Sequence, residues 1–512
     1  MTQQINNKRV LKNTLMLYIR MGLVMIISLY TSRVLLEALG IEDYGIYNIV
    51  GGIVIMFSFF NNILTVAIRR FLSIAIASGD VKRVQIVLKA SVKAVIIIAC
   101  VLAFLIETVG LWFLNYKLNI PDNRLYAANC VFQLSLISFI LNLNALPYNS
   151  AIVAYERMHI YAYIGIVEVI LKLVFTFCIL YINAIDKLIL YAFLFFLLST
   201  VIRFVTIWYC RNHIVTMEKD VIISRKDIVE IFKFSSWAVM GSIVYMIATQ
   251  GVNIAINLFY GVLLNAAMGI ASQISNAVSQ FGGNFITAYN PPLTKIYANE
   301  GMSDNTYAFT VRVTKLTILL MSLIGLPIIL NISEILSFWL KEVPPYSEGI
   351  CVIMIIYIII DIISSPLYIL VYAKGDVKQY SILLSIIQIV YVIVFSIACV
   401  LGANPIEALS FNVLCALALH IGRLYILKKK MNFSVSKYCM DTVCPILLPL
   451  IIIVIVSLSI LSFNFSNMLL SLTIKVFSIE SLLCIIMYYL YLNKQERKYI
   501  ITIVKNKVNK II

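Results

Sequence analysis

Long apolar runs follow one another along almost the whole chain, separated by short polar breaks. Taking about 20 apolar residues as one bilayer crossing, fourteen are predicted, over 10–36, 44–68, 90–114, 125–154, 159–182, 187–209, 234–259, 261–288, 308–332, 350–373, 379–401, 405–427, 443–463 and 467–492. Hydrocarbon offers backbone N–H and C=O groups no partners, so such runs satisfy their own polar groups as helices. The pattern predicts an all-α, polytopic membrane protein with about 14 transmembrane helices. The longest break is about 25 residues, so function is expected within the helices and their turns.

Composition agrees. Charged residues make up 12% of the 512 positions and hydrophobic ones 62%, with mean hydropathy +0.97, whereas soluble domains are about a quarter charged. The basic start MTQQINNKRVLKNT leads into an apolar segment interrupted by Arg20 and Arg33, the form of a first helix rather than a cleaved leader. The ten cysteines fall mostly within apolar spans and read as small apolar fillers. Only Cys439 and Cys444 are close, and no zinc or redox spacing is present, so no metal site is expected.

Charge sets the orientation. Lysine and arginine crowd alternate connections, around 8–12, 69–89, 157, 211–233, 295–312, 374–378, 428–437 and 494–510, while the intervening ones hold only Lys117, Arg124, Lys187 and Lys341. By the positive-inside rule the crowded connections and both termini are cytoplasmic. The net charge of +16 is then mostly charge held against anionic headgroups. Nucleic-acid binding is not expected, because no soluble basic module is present and the aromatics are dispersed along apolar helices.

The stretch from Thr31 to Asp80 shows the pattern in miniature. Its outer tip, Leu39 to Gly45, keeps Glu37, Glu42 and Asp43 together, and its return ends on Arg69 and Arg70 inside. The stretch also recurs: Gly40, Leu72 and Ala77 match Gly261, Leu293 and Ala298 at a spacing of 221, and Pro147 and Tyr161 match Pro366 and Tyr380 at 219. Arg203 pairs with Arg423 and Lys93 with Lys315. The organisation read from this is an N-terminal six-helix bundle (1–210), a cytoplasmic linker (211–233), a C-terminal six-helix bundle (234–430), then two extra helices with a basic tail (431–512). Six crossings per half give both bundles one orientation, so a pseudo-two-fold axis along the membrane normal is expected.

Ionisable groups inside the bilayer each cost about 2.5–3.5 kcal/mol on insertion scales, so each needs an escape or a role. Arg203, Arg423, Lys93 and Lys315 stand within about two turns of a cytoplasmic helix end and are expected to snorkel; Arg203 and Arg423 are also cavity candidates. Glu168 and Lys172 are four apart on helix five, which suits an intrahelical ion pair or the lining of a cavity. Glu107 and Glu334, at outer helix ends, are expected to be solvated. Lys475 and Glu480 on helix fourteen receive no assignment. Arg20 is about ten residues, or about 15 Å, into helix one, too deep to snorkel readily, and its repeat mate is Val239. A scaffold that breaks its own symmetry with buried positive charge at Arg20 and Arg33 reads as one shaped around an anion. Arg69 and Arg70 fit either a headgroup-receiving mouth or ordinary topology anchors. Asp361, near the middle of helix ten, has the neutral Asn142 as its mate; it fits a proton or sodium site, or a partner for Arg20 or Arg33. The three histidines show no metal spacing.

Helix one with its two arginines, the turn LGIEDYGIYN (39–48), the return AIRRFLSIAIASGD (67–80) and the six-plus-six-plus-two plan resemble the polysaccharide repeat-unit flippases. These are the O-antigen transporters of the multidrug/oligosaccharidyl-lipid/polysaccharide exporter superfamily. The resemblance covers essentially the whole chain, and its letters are specific over about the first 80 residues. It implies a bacterial inner-membrane protein that moves oligosaccharide linked to undecaprenyl pyrophosphate from the cytoplasmic to the outer leaflet. It also implies substrate contacts at Arg20 and Arg33, and a lipid-tail groove made by helices thirteen and fourteen. Membrane lipids and the polysaccharide polymerase machinery are the expected partners. No cofactor and no catalytic residue are expected. A proton or sodium ion would be coupled at Asp361 or Glu168. The excess of intramembrane base over acid independently suits a pyrophosphate.

Two other readings compete. A multidrug or cation antiporter of the same superfamily would want acids facing cationic drugs and needs only twelve helices. A membrane polysaccharide polymerase or ligase would want a sizeable outer loop with catalytic Arg or His, and the outer turns here are short.

Overall fold

The computed structural model describes residues 7–155, 157–182, 186–214, 246–375, 377–461 and 468–492, with a few single residues between them. Helix α1 (Asn7–Ile55) is two limbs, because Gly40 takes φ +79, a region L side chains rarely adopt. After it come α2 (Phe59–Ala77), α3 (Val81–Leu105), α4 (Leu111–Tyr116), α5 (Leu125–Ala154), α6 (Met158–Tyr181) and α7 (Lys187–His213). Helix α8 covers 246–260, and Gly261, the repeat mate of Gly40, takes φ +83 before α9 (Val262–Glu300). The rest are α10 (Asp304–Leu330), α11 (Ile332–Trp339), α12 (Ser347–Ile363), α13 (Ser365–Lys374), α14 (Val377–Val400), α15 (Pro405–Met431), α16 (Val435–Tyr438), α17 (Cys444–Leu461) and α18 (Met468–Ile486). Among the described residues there is no strand.

Each predicted crossing falls on helix; of the seventh, 246–259 lies almost wholly among the described residues and its earlier part mostly outside them. The linker 211–233 also lies largely outside them. Among the described residues ten helices are long and apolar enough to span a bilayer, or eleven if α12 and α13, bent by 43°, form one span. Helix α9 is not among these. It carries Asn265, Gln273, Asn276, Gln280 and Asn284, amide side chains that lower its hydropathy below that of the other long helices. The helix of the second crossing does not stop at Ile68, where the crossing is predicted to end. It continues as helix through Arg69 and Arg70 to Ala77, and α9 likewise runs on to Glu300. A helix hydrogen-bonds its own backbone, so leaving the bilayer does not end it; the end comes at a capping sequence, here Gly79 with φ +71 and the Asp80 cap of α3.

Contacts divide the chain into two units, one of 1–270 with 395–405, the other of 271–394 with 406–512. In the first unit, three turns between helices are tied by one arginine. Arg124, just before α5, donates from Nε to Asp43 Oδ1 at 2.7 Å and from Nη1 to Asp186 Oδ2 at 2.6 Å, and its Nη2 also pairs with Asp43. Burial opposes the charge on Asp186, but Arg124 and the N–H groups of Ile189 and Leu188 outweigh it and hold this carboxyl below the usual value. The second limb of α1 crosses the first turns of α9 at backbone distance. A β-carbon on Gly45 would strike the Val262 carbonyl, and one on Gly269 would strike the Asn48 side chain. Small residues at such crossings replace the hydrophobic drive that lipid does not supply.

In the second unit, Pro366 has no N–H to give the Ile362 carbonyl. The Ser365 hydroxyl bonds that oxygen instead and meets the Tyr289 hydroxyl. The unassigned Lys475 of α18 is 1% exposed and pairs with Glu334 of α11, whose side chain keeps 30% of its surface exposed, so Glu334 is partly solvated and paired as well. Ile446 and Ile453 of α17 and Ile479 and Leu483 of α18 pack with Ile318 of α10. The final two helices are thereby integrated into the second unit.

Gly45→Ala should lower stability by about 1–3 kcal/mol, since the new methyl meets backbone that has no rotamer to move. Gly51→Ala, with open space beside it, should stay within about 0.5 kcal/mol. Thermal unfolding of the purified variants in detergent reads both.

Candidate functional site

The sequence candidates divide between the two units. In the first, Arg20 lies on the first limb of α1, with its side chain outside the described residues; Arg33, farther along the same limb, is half-buried. Arg69 is half-buried on α2 and its Nε has no partner, whereas the Arg70 side chain lies outside the described residues. Arg203 is half-buried on α7, and Lys93 is exposed on α3. Glu107 is not simply solvated: Gln133 Nε2 donates to it at 2.8 Å.

Glu168 and Lys172 do not close the expected ion pair. Among the described residues no carboxylate is paired with Lys172, whose ammonium lies 5.3 Å from the centre of the Phe195 ring. Glu168 is exposed and engaged elsewhere. The i, i+4 spacing permits a pair but does not compel one, and a nearby ring competes for the cation when the site is partly dry.

The second unit holds the most developed charged cluster. Asp361 stands in the last turn of α12, where the helix dipole is unfavourable to an acid. Arg423 of α15 reaches it, donating from Nη2 to Asp361 Oδ1 at 2.7 Å and from Nε to the Tyr380 hydroxyl at 3.3 Å. The Tyr368 ring lies 5.6 Å from the guanidinium carbon. Beside them Ser364, at the break between α12 and α13, shares a 2.5 Å hydrogen bond with His420 Nδ1. The pair is lopsided: the arginine side chain is 8% exposed and the aspartate 39%.

Two expectations are corrected here. Arg423 does not snorkel, because a carboxylate within reach repays its burial better than the stretch to the interface. Lys315 does not snorkel either: it is buried, with its ammonium 5.4 Å from the Tyr491 ring centre. Asp361 is met by Arg423; the Arg20 side chain lies outside the described residues. Tyr380 was visible in the sequence only as the repeat mate of Tyr161. Tyr47, Tyr191 and Phe195 near Lys172 carried no signal at all, since aromatics are frequent throughout apolar spans.

Chemically, a buried guanidinium behind a half-exposed carboxylate is a neutral pair that can be reopened. A proton or metal cation arriving at Asp361 from the exposed side competes with Arg423 for the same oxygens. Among the described residues no group of three or more His, Cys, Asp or Glu is placed to hold a metal ion.

Asp361→Ala leaves Arg423 buried without its counter-ion. The expected loss is roughly 1–3 kcal/mol, below that for a wholly buried pair because the aspartate side is partly exposed. Adding Arg423→Met to the same chain should recover part of it, a non-additivity that thermal unfolding of the two singles and the double reveals.

Solved structures share this fold. The lipid II flippase MurJ, in an inward closed conformation, aligns with a TM-score of 0.67 at 16% identity, covering 92% of this chain and 98% of its own. An inward-facing multidrug resistance transporter of the MATE family aligns at 0.63 with 15% identity, covering 81% and 99%. An outward-facing MATE transporter aligns at 0.56 with 14% identity, covering 82% and 96%. No protein-family model matches the chain, and comparison with curated proteins finds no match. At these identities the likeness establishes an all-α, polytopic membrane fold in common.

Proposed function

We propose that this protein is a flippase carrying oligosaccharide repeat units, linked to undecaprenyl pyrophosphate, from the cytoplasmic to the outer leaflet of a bacterial inner membrane. The product would feed the polymerase that builds a surface polysaccharide such as O-antigen or capsule. The observation that carries the reading is one of length. The MATE chains are used almost whole yet leave nearly a fifth of this chain unmatched, while the lipid II flippase accounts for 92% of it. The added length suits a cargo with a long lipid tail, for which α17 and α18, packed on α10, are the candidate groove. The intramembrane surplus of base, with Arg20 and Arg33 on α1, suits the pyrophosphate.

Transport in this reading is alternating access, with both termini cytoplasmic and Arg69 and Arg70 at the entry side. Asp361 is the leading coupling residue, with Glu168 as the second. Binding of a proton or sodium ion at Asp361 frees Arg423, and drives the cycle only if its affinity differs between the two orientations. The second reading, a multidrug antiporter, draws on the MATE likeness; a half-exposed acid such as Asp361 is a feature a cationic drug could use.

Deleting the gene tests the choice. Lipid-linked repeat units should accumulate on the cytoplasmic face; an unchanged leaflet distribution with raised drug susceptibility would favour the antiporter. Arg20→Ala should abolish transport at normal expression, and Arg20→Lys should retain part, because a point charge still attracts phosphate without the planar fork. Asp361→Asn should transport without dependence on an imposed ion gradient. Unchanged gradient dependence would move coupling to Glu168 or to substrate exchange.

A further inference from the structure

Helix α6 has two exposed faces of different kinds. Tyr163, Val167, Ile170 and Val174 form an apolar stripe along it, the surface a membrane helix turns to lipid. Glu168, exposed, and Lys172, half-buried, lie about 150° round the helix from that stripe. An ionisable pair nearly opposite the lipid face is directed inward, where intramembrane charge marks a pathway or a site.

Aromatic groups from two other elements converge on Lys172. Its ammonium lies 5.3 Å from the ring centre of Phe195 on α7. Phe195 stacks with Tyr191 at 6.4 Å and 29°, and Tyr191 meets Tyr47, on the second limb of α1, edge-on at 4.9 Å and 78°. Tyr191 is 2% exposed, and among the described residues its hydroxyl makes no well-formed hydrogen bond, with the Tyr47 hydroxyl its nearest candidate. Glu168, one turn toward the cytoplasmic end, is engaged elsewhere and does not neutralise the lysine.

A cation without a carboxylate, a run of ring faces and an unsatisfied phenol are each unfavourable alone. Together they match one class of ligand: a sugar bearing an oxyanion. Ring faces stack against sugar C–H groups, a phenol bonds their hydroxyls, and an ammonium takes the anionic oxygen. We infer that Lys172, Phe195, Tyr191 and Tyr47 form a saccharide subsite in the first unit that grips an oxyanion attached to the sugar. The inference rests on the flippase reading above and adds to it the place where the sugar end is recognised. The oxyanion is either the pyrophosphate link or an acid group on the sugar, and the same experiment separates the two sources.

The test uses the full-length protein in lipid nanodiscs with three probes: undecaprenyl pyrophosphate, the same lipid carrying neutral N-acetylglucosamine, and the same lipid carrying a glucuronate-containing disaccharide. Lys172→Gln should weaken binding about tenfold while Lys172→Arg stays within about threefold of wild type. A loss shared by all three probes assigns the oxyanion to the pyrophosphate; a loss confined to the glucuronate probe assigns it to the sugar. Tyr191→Phe, which keeps the ring and removes the hydroxyl, should weaken the sugar-bearing probes about three- to tenfold and leave bare undecaprenyl pyrophosphate unchanged. Wild-type affinity of both Lys172→Gln and Tyr191→Phe for all probes, with unchanged thermal unfolding, overturns the subsite while leaving the flippase reading standing. Failure of the wild type to bind any probe overturns the flippase reading, and the subsite with it.

Discussion

Hydrocarbon does not solvate charge, and this cost decides which helices of the protein must meet. Arg423 is buried because Asp361 reaches it, which ties α15 to the end of α12. Lys475 is buried because Glu334 reaches it, which ties α18 to α11. Lys315 and Lys172 lie over aromatic rings, of Tyr491 and Phe195. Each of these charges, unfavourable for a helix inserted alone, fixes a particular neighbour once the helices assemble. Apolar side chains facing lipid or facing one another have no comparable preference.

The same constraint accounts for where the internal repeat holds and where it lapses. Turn glycines persist, Gly40 with φ +79 and Gly261 with φ +83, because any other residue there would be strained. Proline persists at 147 and 366, yet α5 passes through Pro147 unbroken while the second copy breaks at Ser364. That break lies three residues after Asp361, where the first half has Asn142. A carboxylate at the end of a helix, an arginine opposite it and a serine–histidine bond beside it have replaced a neutral turn. Backbone symmetry has been kept and chemistry has been added to one copy.

The result is two units with different charge economies. In the second, the principal buried cation has its acid in place. In the first, Lys172 is paired with no carboxylate among the described residues and lies over an aromatic ring, and Arg33 and Arg69 are half-buried. Solved structures with this fold include a lipid II flippase and multidrug transporters, and the two units of this chain differ in how their buried bases are neutralised.

The sequence by itself determined the fold class, the places where the described helices fall and the turn glycines shared by the internal repeat. These follow from hydrophobic length, from backbone satisfaction within each helix and from glycine turns, all of which are local or periodic properties. It also singled out the intramembrane charges, since apolar runs make every interruption visible. Tertiary structure alone decided their partners. Asp361 and Arg423 are 62 positions apart and Lys475 and Glu334 are 141 apart, so no spacing rule connects them. Glu168 and Lys172, which a spacing rule does connect, are not joined. The helix ends beyond Ile68 and Ala288 were likewise hidden, because hydropathy marks where a chain leaves the membrane and capping marks where the helix stops. What settles a charge in a bilayer is the nearest group able to neutralise it, and nearness across helices is a property of packing rather than of order along the chain.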